Sequence, residues 1–304
     1  MYDLIVIGGG PAGLTAAVYA LRKRLNVLLV SKDLGGKTNY RLALPWTEDY
    51  QVIRGLEIIN RFKSELEYLH FARHMEPVES VCHQEGANGS YFTVHTRGGG
   101  ALQTRAVIVA TGTKQLRLDV PGEKDFIMRG LCYSALSYAP LFIDKKTVVV
   151  GDGDLALRGA AELATVAEHV HLLRSTSEAS ASPLYSKLKV SPKVTLLEGY
   201  TVTAVKGEEY ANCIVVKDPQ GKEVEIPADG TFIEVGLAPN TSMVADLVEL
   251  DQEGRIKIDS YNQTKVPGLF AAGDVTTGHA EQVLVAVGEG AKAALSAYDY
   301  LLLQ

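Results

Sequence analysis

Apolar and polar positions divide the chain into short strands and helices in close succession. Leu4, Ile5, Val6 and Ile7 form an uninterrupted apolar run, the pattern of a strand buried on both faces. Leu14 to Leu25 reads as a helix and Val27 to Val30 as a second strand. Leu56, Ile59, Phe62, Leu66 and Leu69 recur at helical spacing, which marks a core-facing helix. Val78 to Cys82, Tyr91 to Thr96 and Leu102 to Val109 read as strands, with Gly86-Ala87-Asn88-Gly89 and Gly98-Gly99-Gly100 as turns. Further on, Thr147 to Val150 predicts a strand before a helix, and Tyr210 to Lys217 with Lys222 to Ile226 a small hairpin layer. Phe232 to Gly236 is a strand, Gly268 to Asp274 ends another, and a helix runs from about Glu281.

The glycines between the first strand and helix carry the first chemistry. Gly8, Gly10 and Gly13 make G-x-G-x-x-G in strand–turn–helix context. One glycine makes the tight turn, one admits a pyrophosphate close to the backbone, and one lets helix pack on strand. Free N–H groups and the helix dipole then favour phosphate charge. Gly151, Gly153 and Ala156 repeat the arrangement as G-x-G-x-x-A after Thr147 to Val150, so a second βαβ unit and a second domain are expected. Ser31 stands where such folds place an acid for the adenosine ribose, with Asp33 two residues late. Gly35-Gly36-Lys37-Thr38 is a flexible turn leading to Pro45-Trp46, where Trp46 is a packing residue or a cofactor wall.

Composition narrows the class without changing this picture. A chain of 304 residues accommodates two domains, and 46% hydrophobic with 22% charged residues is ordinary for a globular protein. A net charge of −6 argues against a nucleic-acid or anionic-membrane surface. No apolar run reaches membrane-spanning length, and Leu4 to Ile7 is too short for a secretory signal. The three cysteines, Cys82, Cys132 and Cys213, show no C-x-x-C or metal-ligand spacing. His70 and His74 form an i,i+4 pair without a third ligand, read as helix surface. No metal is expected, and a reducing, cytoplasmic setting is.

Gly8-Gly9-Gly10-Pro11-Ala12-Gly13, Ala110-Thr111-Gly112, the loop at Gly151 and Gly273-Asp274 stand in the order found in two-dinucleotide-fold flavoproteins. With Pro121-Gly122-Glu123, Pro239-Asn240-Thr241 and Gln282 added, the chain resembles the low-molecular-weight thioredoxin reductases. The resemblance implies an α/β fold of two Rossmann-like domains. An FAD domain would be built from residues 1–113 and 244–304, a nucleotide domain inserted over 114–243, and the protein a homodimer. FAD contacts are implied at Gly8, Gly10, Pro11, Ala12, Gly13, Thr38, Ala110, Thr111, Gly112, Gly273, Asp274 and Gln282. Read from its chemistry, Asp274 at a strand end can accept a hydrogen bond from the ribityl chain. A helix starting near Gln282 aims its positive end at the flavin N1/O2 edge.

The departures from the family shape the functional expectation. Aligned through Gly130 and Tyr133, the two redox cysteines are Ser134 and Ser137, and the proton-handling Asp is Tyr138. A hydroxyl cannot cycle between dithiol and disulfide, so thioredoxin-disulfide reductase activity is not expected. Cys132, two positions early, reads as a buried small residue. In the second loop Asp152 replaces a glycine, placing a carboxylate beside a pyrophosphate site, while Asp154 matches a family Asp. Arg174-Ser175-Thr176 replaces a His-Arg-Arg that grips the 2′-phosphate of NADPH, leaving Arg174 one position early, and Gly159 replaces a helix glutamate. The second site, at Gly151, Gly153, Asp154, Ala156 and Arg174, stands open to NAD(P)H without the phosphate grip, to a second adenine nucleotide such as a flavin, or to no ligand. The expectation is an FAD-dependent oxidoreductase of unnamed donor and acceptor. Two other classes stand beside it: a ferredoxin-, flavodoxin-linked or diflavin reductase, and a non-catalytic flavin-binding sensor in which Ser134, Ser137 and Tyr138 fill space by the ring. The first of these is the less expected, because its usual ring-bearing extension is not found in the sequence up to Leu303-Gln304.

Overall fold

Four consecutive buried residues, Leu4 to Ile7, require a strand with neighbours on both edges and cover on both faces. That strand is β1 (Tyr2–Ile7), followed by helix α1 (Pro11–Arg22), β2 (Val27–Val30), α2 (Leu56–Tyr68), β3 (Arg73–His74), β4 (Val78–Gly86), β5 (Gly89–Thr96), β6 (Ala101–Val109) and β7 (Thr113–Gln115). The computed structural model describes residues 1–47, 55–86, 89–278 and 280–304. Parallel pairing puts β2 on one side of β1 and β6 on the other, in the order β3-β2-β1-β6-β5-β4. β4 and β5 form an antiparallel ribbon with an exposed alternate face, as an antiparallel layer allows. The expected turn at Gly86-Ala87-Asn88-Gly89 includes Ala87 and Asn88, which lie outside the described residues. α2 stops at Tyr68, so His70 and His74 are not on a helix surface. His70 sits in a short 3-10 turn bonded to Arg73, and His74 lies on β3 beside Glu76.

The chain then builds a second compact unit: β8 (Leu131–Cys132), α3 (Ala135–Tyr138), β9 (Lys146–Val150), α4 (Asp154–Val166), β10 (His169–Arg174), α5 (Pro183–Lys189), β11 (Val194–Glu198), β12 (Thr201–Gly207), β13 (Ala211–Lys217), β14 (Glu223–Pro227) and β15 (Gly230–Ile233). Its parallel sheet runs β11-β10-β9-β15-β8, with β9 central and buried from Thr147 to Val150. β12, β13 and β14 make a separate antiparallel layer. The sequence pattern predicts only the last two of these strands. A register slip between Val202 and Ala204 breaks the alternation that would reveal β12. Trp46 belongs to this unit as a packing residue. Its Nε1 donates to Leu141 O at 2.9 Å, and its ring meets Phe142 edge-on at 5.7 Å.

The chain returns through β16 (Leu237–Pro239) to β17 (Leu269–Ala271) and helix α6 (Val283–Leu302). The first unit comprises Met1–Asn39, Ile53–Lys114 and Ala238–Gln304, the second Tyr40–Val52 and Gln115–Leu237. β6 is shared lengthwise in the first unit: its start pairs with β5, while Val107 to Val109 pair in parallel with β17. α6 lies tightly on α1, because a β-carbon on Gly290 would fall 2.1 Å from Ala12 O.

Candidate functional site

The glycines of the first loop have two different reasons to be glycine. Gly8 has φ +111°, and a β-carbon there would lie 2.3 Å from Ala110 O. On Gly13 it would lie 1.8 Å from Gly8 O, so both are demanded by the fold itself. Gly10 is demanded by neither conformation nor packing. Its φ is −75°, open to any residue, and a β-carbon would meet nothing within 4 Å. Open space against a bare Cα, at the start of α1, is where a pyrophosphate fits. Pro11 takes the first helical position, where a missing N–H costs nothing, and the first turn holds no acidic residue to oppose an anion. Ala12 packs inward on that turn, and the Gly35-Gly36 turn comes up to it, with a β-carbon on Gly36 falling 3.1 Å from Gly10 Cα. Thr38 is buried there, its hydroxyl donating to Gly35 O.

At the other end of the same unit, Asp274 follows β17 with its carboxylate largely buried. It accepts from Lys37 Nζ at 2.9 Å, and the same ammonium donates to Thr113 Oγ1 at 2.6 Å. The turn is held from behind by groups the sequence did not single out. Gly273 N donates to Glu289 Oε2 at 2.6 Å, Arg255 donates to Asp274 O at 2.8 Å, and Arg255 also pairs with Glu281. Ala110-Thr111-Gly112 is clamped by Asn240, whose Nδ2 donates to Thr111 O and Gly112 O while its backbone carbonyl accepts from the Thr111 hydroxyl. Gly112 again has nothing near a β-carbon. Gln282 is the N-cap of α6, and that helix also begins without an acidic first turn. Among the described residues this unit thus offers two anion-favouring helix starts, an open glycine face and a half-buried Asp–Lys pair. That set suits a dinucleotide whose polyol chain hydrogen-bonds to a carboxylate.

The second loop repeats the division of labour. A β-carbon on Gly151 would fall 2.3 Å from Glu234 O and 2.9 Å from the Ala156 methyl, whereas Gly153, at φ −90°, would meet nothing within 4 Å. Asp154 is exposed in the first turn of α4. Asp152 turns to the end of β10, where Oδ2 accepts from Ser175 Oγ at 2.6 Å and Oδ1 from Thr176 N at 3.2 Å.

Arg174, expected as a nucleotide contact, has its side chain held inside the second unit. Its side chain is 3% exposed, Nη1 donates to Glu198 Oε1 at 2.8 Å and to Glu178 O, and the guanidinium lies 5.0 Å from the Tyr185 ring centre. Tyr185 OH donates to the same Glu198 oxygen. This network is structural. Arg174→Met is expected to lower unfolding stability by about 3 kcal/mol in urea titration, because it strands Glu198 beside the core. An unchanged midpoint would contradict that role.

Ser134 and Ser137 do come together. Ser134 caps α3, its Oγ accepting from Ser137 N at 3.3 Å and donating to Ser137 Oγ at 2.9 Å. Beneath them lies Glu234, a buried carboxylate that accepts from Ala135 N at 2.6 Å. Gly159 makes room for it: a β-carbon there would be 3.6 Å from Glu234 Oε1. In the sequence the only signal for this buried carboxylate was a glutamate following the apolar β15. Tyr138 is buried, which pushes its hydroxyl up to about 12, so it neither gives nor takes a proton near neutrality. Cys132 is wholly buried, and desolvation with the Glu234 charge raises its thiol above the usual range, the state of an inert packing residue. Cys82, Cys132 and Cys213 are all free thiols.

Among the described residues there is no group of three or more metal-binding side chains, and no helix is long and apolar enough to cross a membrane. The profile of the family described as pyridine nucleotide-disulphide oxidoreductase matches residues 2–290. One subunit of the alkyl hydroperoxide reductase of Pseudomonas aeruginosa is 34% identical over 311 residues, covering 99% of this chain. Its counterpart in Staphylococcus aureus strain N315 is 33% identical over 303 residues, again covering 99%. The chain spans 58% and 59% of the length of these two relatives. Among solved structures, thioredoxin reductase from Streptococcus pyogenes superposes with a TM-score of 0.88 at 32% identity, covering 100% of this chain and 99% of that one. Thioredoxin reductase from Giardia duodenalis superposes at 0.85 with 27% identity, covering 99% of each. Agreement along nearly the whole chain, in sequence and in backbone, makes this an FAD-binding oxidoreductase of the thioredoxin-reductase-like pyridine nucleotide-disulphide oxidoreductase family.

Proposed function

We propose that this family member works without a protein dithiol, exchanging electrons between an adenine dinucleotide held at the second loop and an acceptor that meets the cofactor directly. The observation carrying this reading is the Ser134–Ser137 hydroxyl pair, 2.9 Å apart, where the family resemblance places a redox disulfide. FAD, when bound, supplies reversible two-electron chemistry. The residues hold and orient it: the face of Gly10 and the first amides of α1 take the pyrophosphate, and Asp274 accepts from the polyol chain. Lys37, paired to Asp274, holds positive charge in the same cradle. Neither serine can store electrons, and Tyr138 stays protonated. The protein acts as a homodimer in a reducing, cytoplasmic setting, which is compatible with its three free thiols.

Anaerobic dithionite titration of the purified yellow protein tests this. Complete bleaching is expected at about one equivalent, or two electrons, per flavin, with no further uptake. About two equivalents per flavin would reveal a second redox centre and overturn the reading.

A further inference from the structure

We propose that Asp152 reads the adenosine ribose at the second glycine loop, so that the site takes an adenine dinucleotide with a free 2′-hydroxyl and rejects one bearing a 2′-phosphate. This rests on the reading above only for the presence of a nucleotide at that loop. In a βαβ nucleotide fold the adenosine ribose lies at the end of the second strand, where a carboxylate accepts from its hydroxyls. The acid usually follows that strand in sequence. Here the strand is β10, followed by Ser175 and Thr176, and the carboxylate is supplied from the glycine loop instead.

The geometry fixes it there. Ser175 Oγ holds one oxygen at 2.6 Å and Thr176 N the other at 3.2 Å, leaving lone pairs on both oxygens for a ligand hydroxyl. Asp152 is exposed and makes no ion pair among the described residues, so its charge is not cancelled by the protein. The neighbouring cation, Arg174, is withdrawn onto Glu198 and Tyr185. A 2′-phosphate arriving here would meet a carboxylate, with the Ser175 hydroxyl and Thr176 amide already engaged. A ribose hydroxyl would instead find an acceptor. Meanwhile Gly153 keeps its face open for a pyrophosphate.

Calorimetry on the FAD-loaded protein with ADP-ribose and with 2′-phospho-ADP-ribose tests the inference, since neither ligand carries a transferable hydride. ADP-ribose is expected to bind at least about tenfold more tightly. Asp152→Asn, which keeps the shape and removes the charge, should bring the two affinities to within about threefold, mainly by improving the phosphorylated ligand. Asp152→Gly combined with Ser175→Arg and Thr176→Arg should reverse the preference. Displacement of bound ADP-ribose by NADH, or by added FAD, identifies which source of the free ribose the site holds. Equal or tighter binding of the 2′-phosphate form by the unmodified protein overturns the proposal. So does an Asp152→Asn ratio that does not move, or the absence of ADP-ribose binding. If dithionite titration still shows two electrons per flavin in that last case, the specificity inference alone has failed.

Discussion

Gly10→Val is expected to yield a folded, colourless protein. The valine β-carbon enters space with no protein atom within 4 Å, at a backbone angle of φ −75° that valine adopts without strain. Stability of the flavin-free protein should therefore change by less than about 1 kcal/mol. The same side chain fills the approach of the pyrophosphate, and bound FAD should fall from about one per chain to less than about a tenth of that. Gly13→Ala is the control that separates ligand from fold. Its methyl would stand 1.8 Å from Gly8 O, a backbone atom that cannot yield without moving β1 from α1. That variant should lose about 3 kcal/mol or more and lose flavin only because it unfolds. Flavin absorbance together with urea unfolding of each apoprotein distinguishes the two. A Gly10→Val protein that retains its colour, or unfolds like Gly13→Ala, would remove the argument that this glycine exists for a ligand.

The second large effect concerns thiols. Denatured protein should titrate the same three thiols before and after anaerobic reduction, because Cys82, Cys132 and Cys213 are free in the folded chain. Thioredoxin should not be reduced through a protein dithiol. The double substitution Ser134→Cys with Ser137→Cys should change the count. The two Oγ atoms already lie 2.9 Å apart at the N-terminus of α3, with Ser134 as its cap. Cysteines there should oxidise to a disulfide and release two further thiols on reduction, and dithionite uptake should rise by about one equivalent. A gain of two thiols in the unmodified protein would falsify the serine reading and point to a pairing among its native cysteines.

The sequence was most informative where structure is local. The buried run Leu4–Ile7, the glycines after it and the apolar stripe of α2 each declare an element from neighbouring residues alone. So does the repeat at Thr147–Val150 and Gly151. It was silent where function depends on partners far apart in the chain. Lys37 lies 237 positions from Asp274, and nothing in Gly36-Lys37-Thr38 announces that its ammonium pairs with that carboxylate. Glu289 reads as an ordinary helix residue until Gly273 N is seen to donate to it. Arg174 and Asp152 show the same limit from opposite sides. Their identities suggested a phosphate contact and a repelled pyrophosphate. Side-chain direction was legible in neither: one is buried against Glu198 and the other turns toward Ser175. His70 and His74 failed through a helix end: α2 gives out at Tyr68, two residues before their spacing would have mattered.

The first unit is assembled from three stretches of chain, and this orders events during synthesis. Gly8, Gly10 and Gly13 leave the ribosome long before β17, Asp274 and α6. Between them almost the whole second unit emerges as one continuous stretch, free to fold while the first is still lacking a strand. Until Leu269–Ala271 is made, Val107 to Val109 present an unpaired apolar strand edge. The nascent chain therefore waits with that edge of its N-terminal sheet unpaired while the second unit is completed. Loading of the cofactor becomes a late step of biosynthesis, and the interval before it is the one in which a chaperone has most to protect.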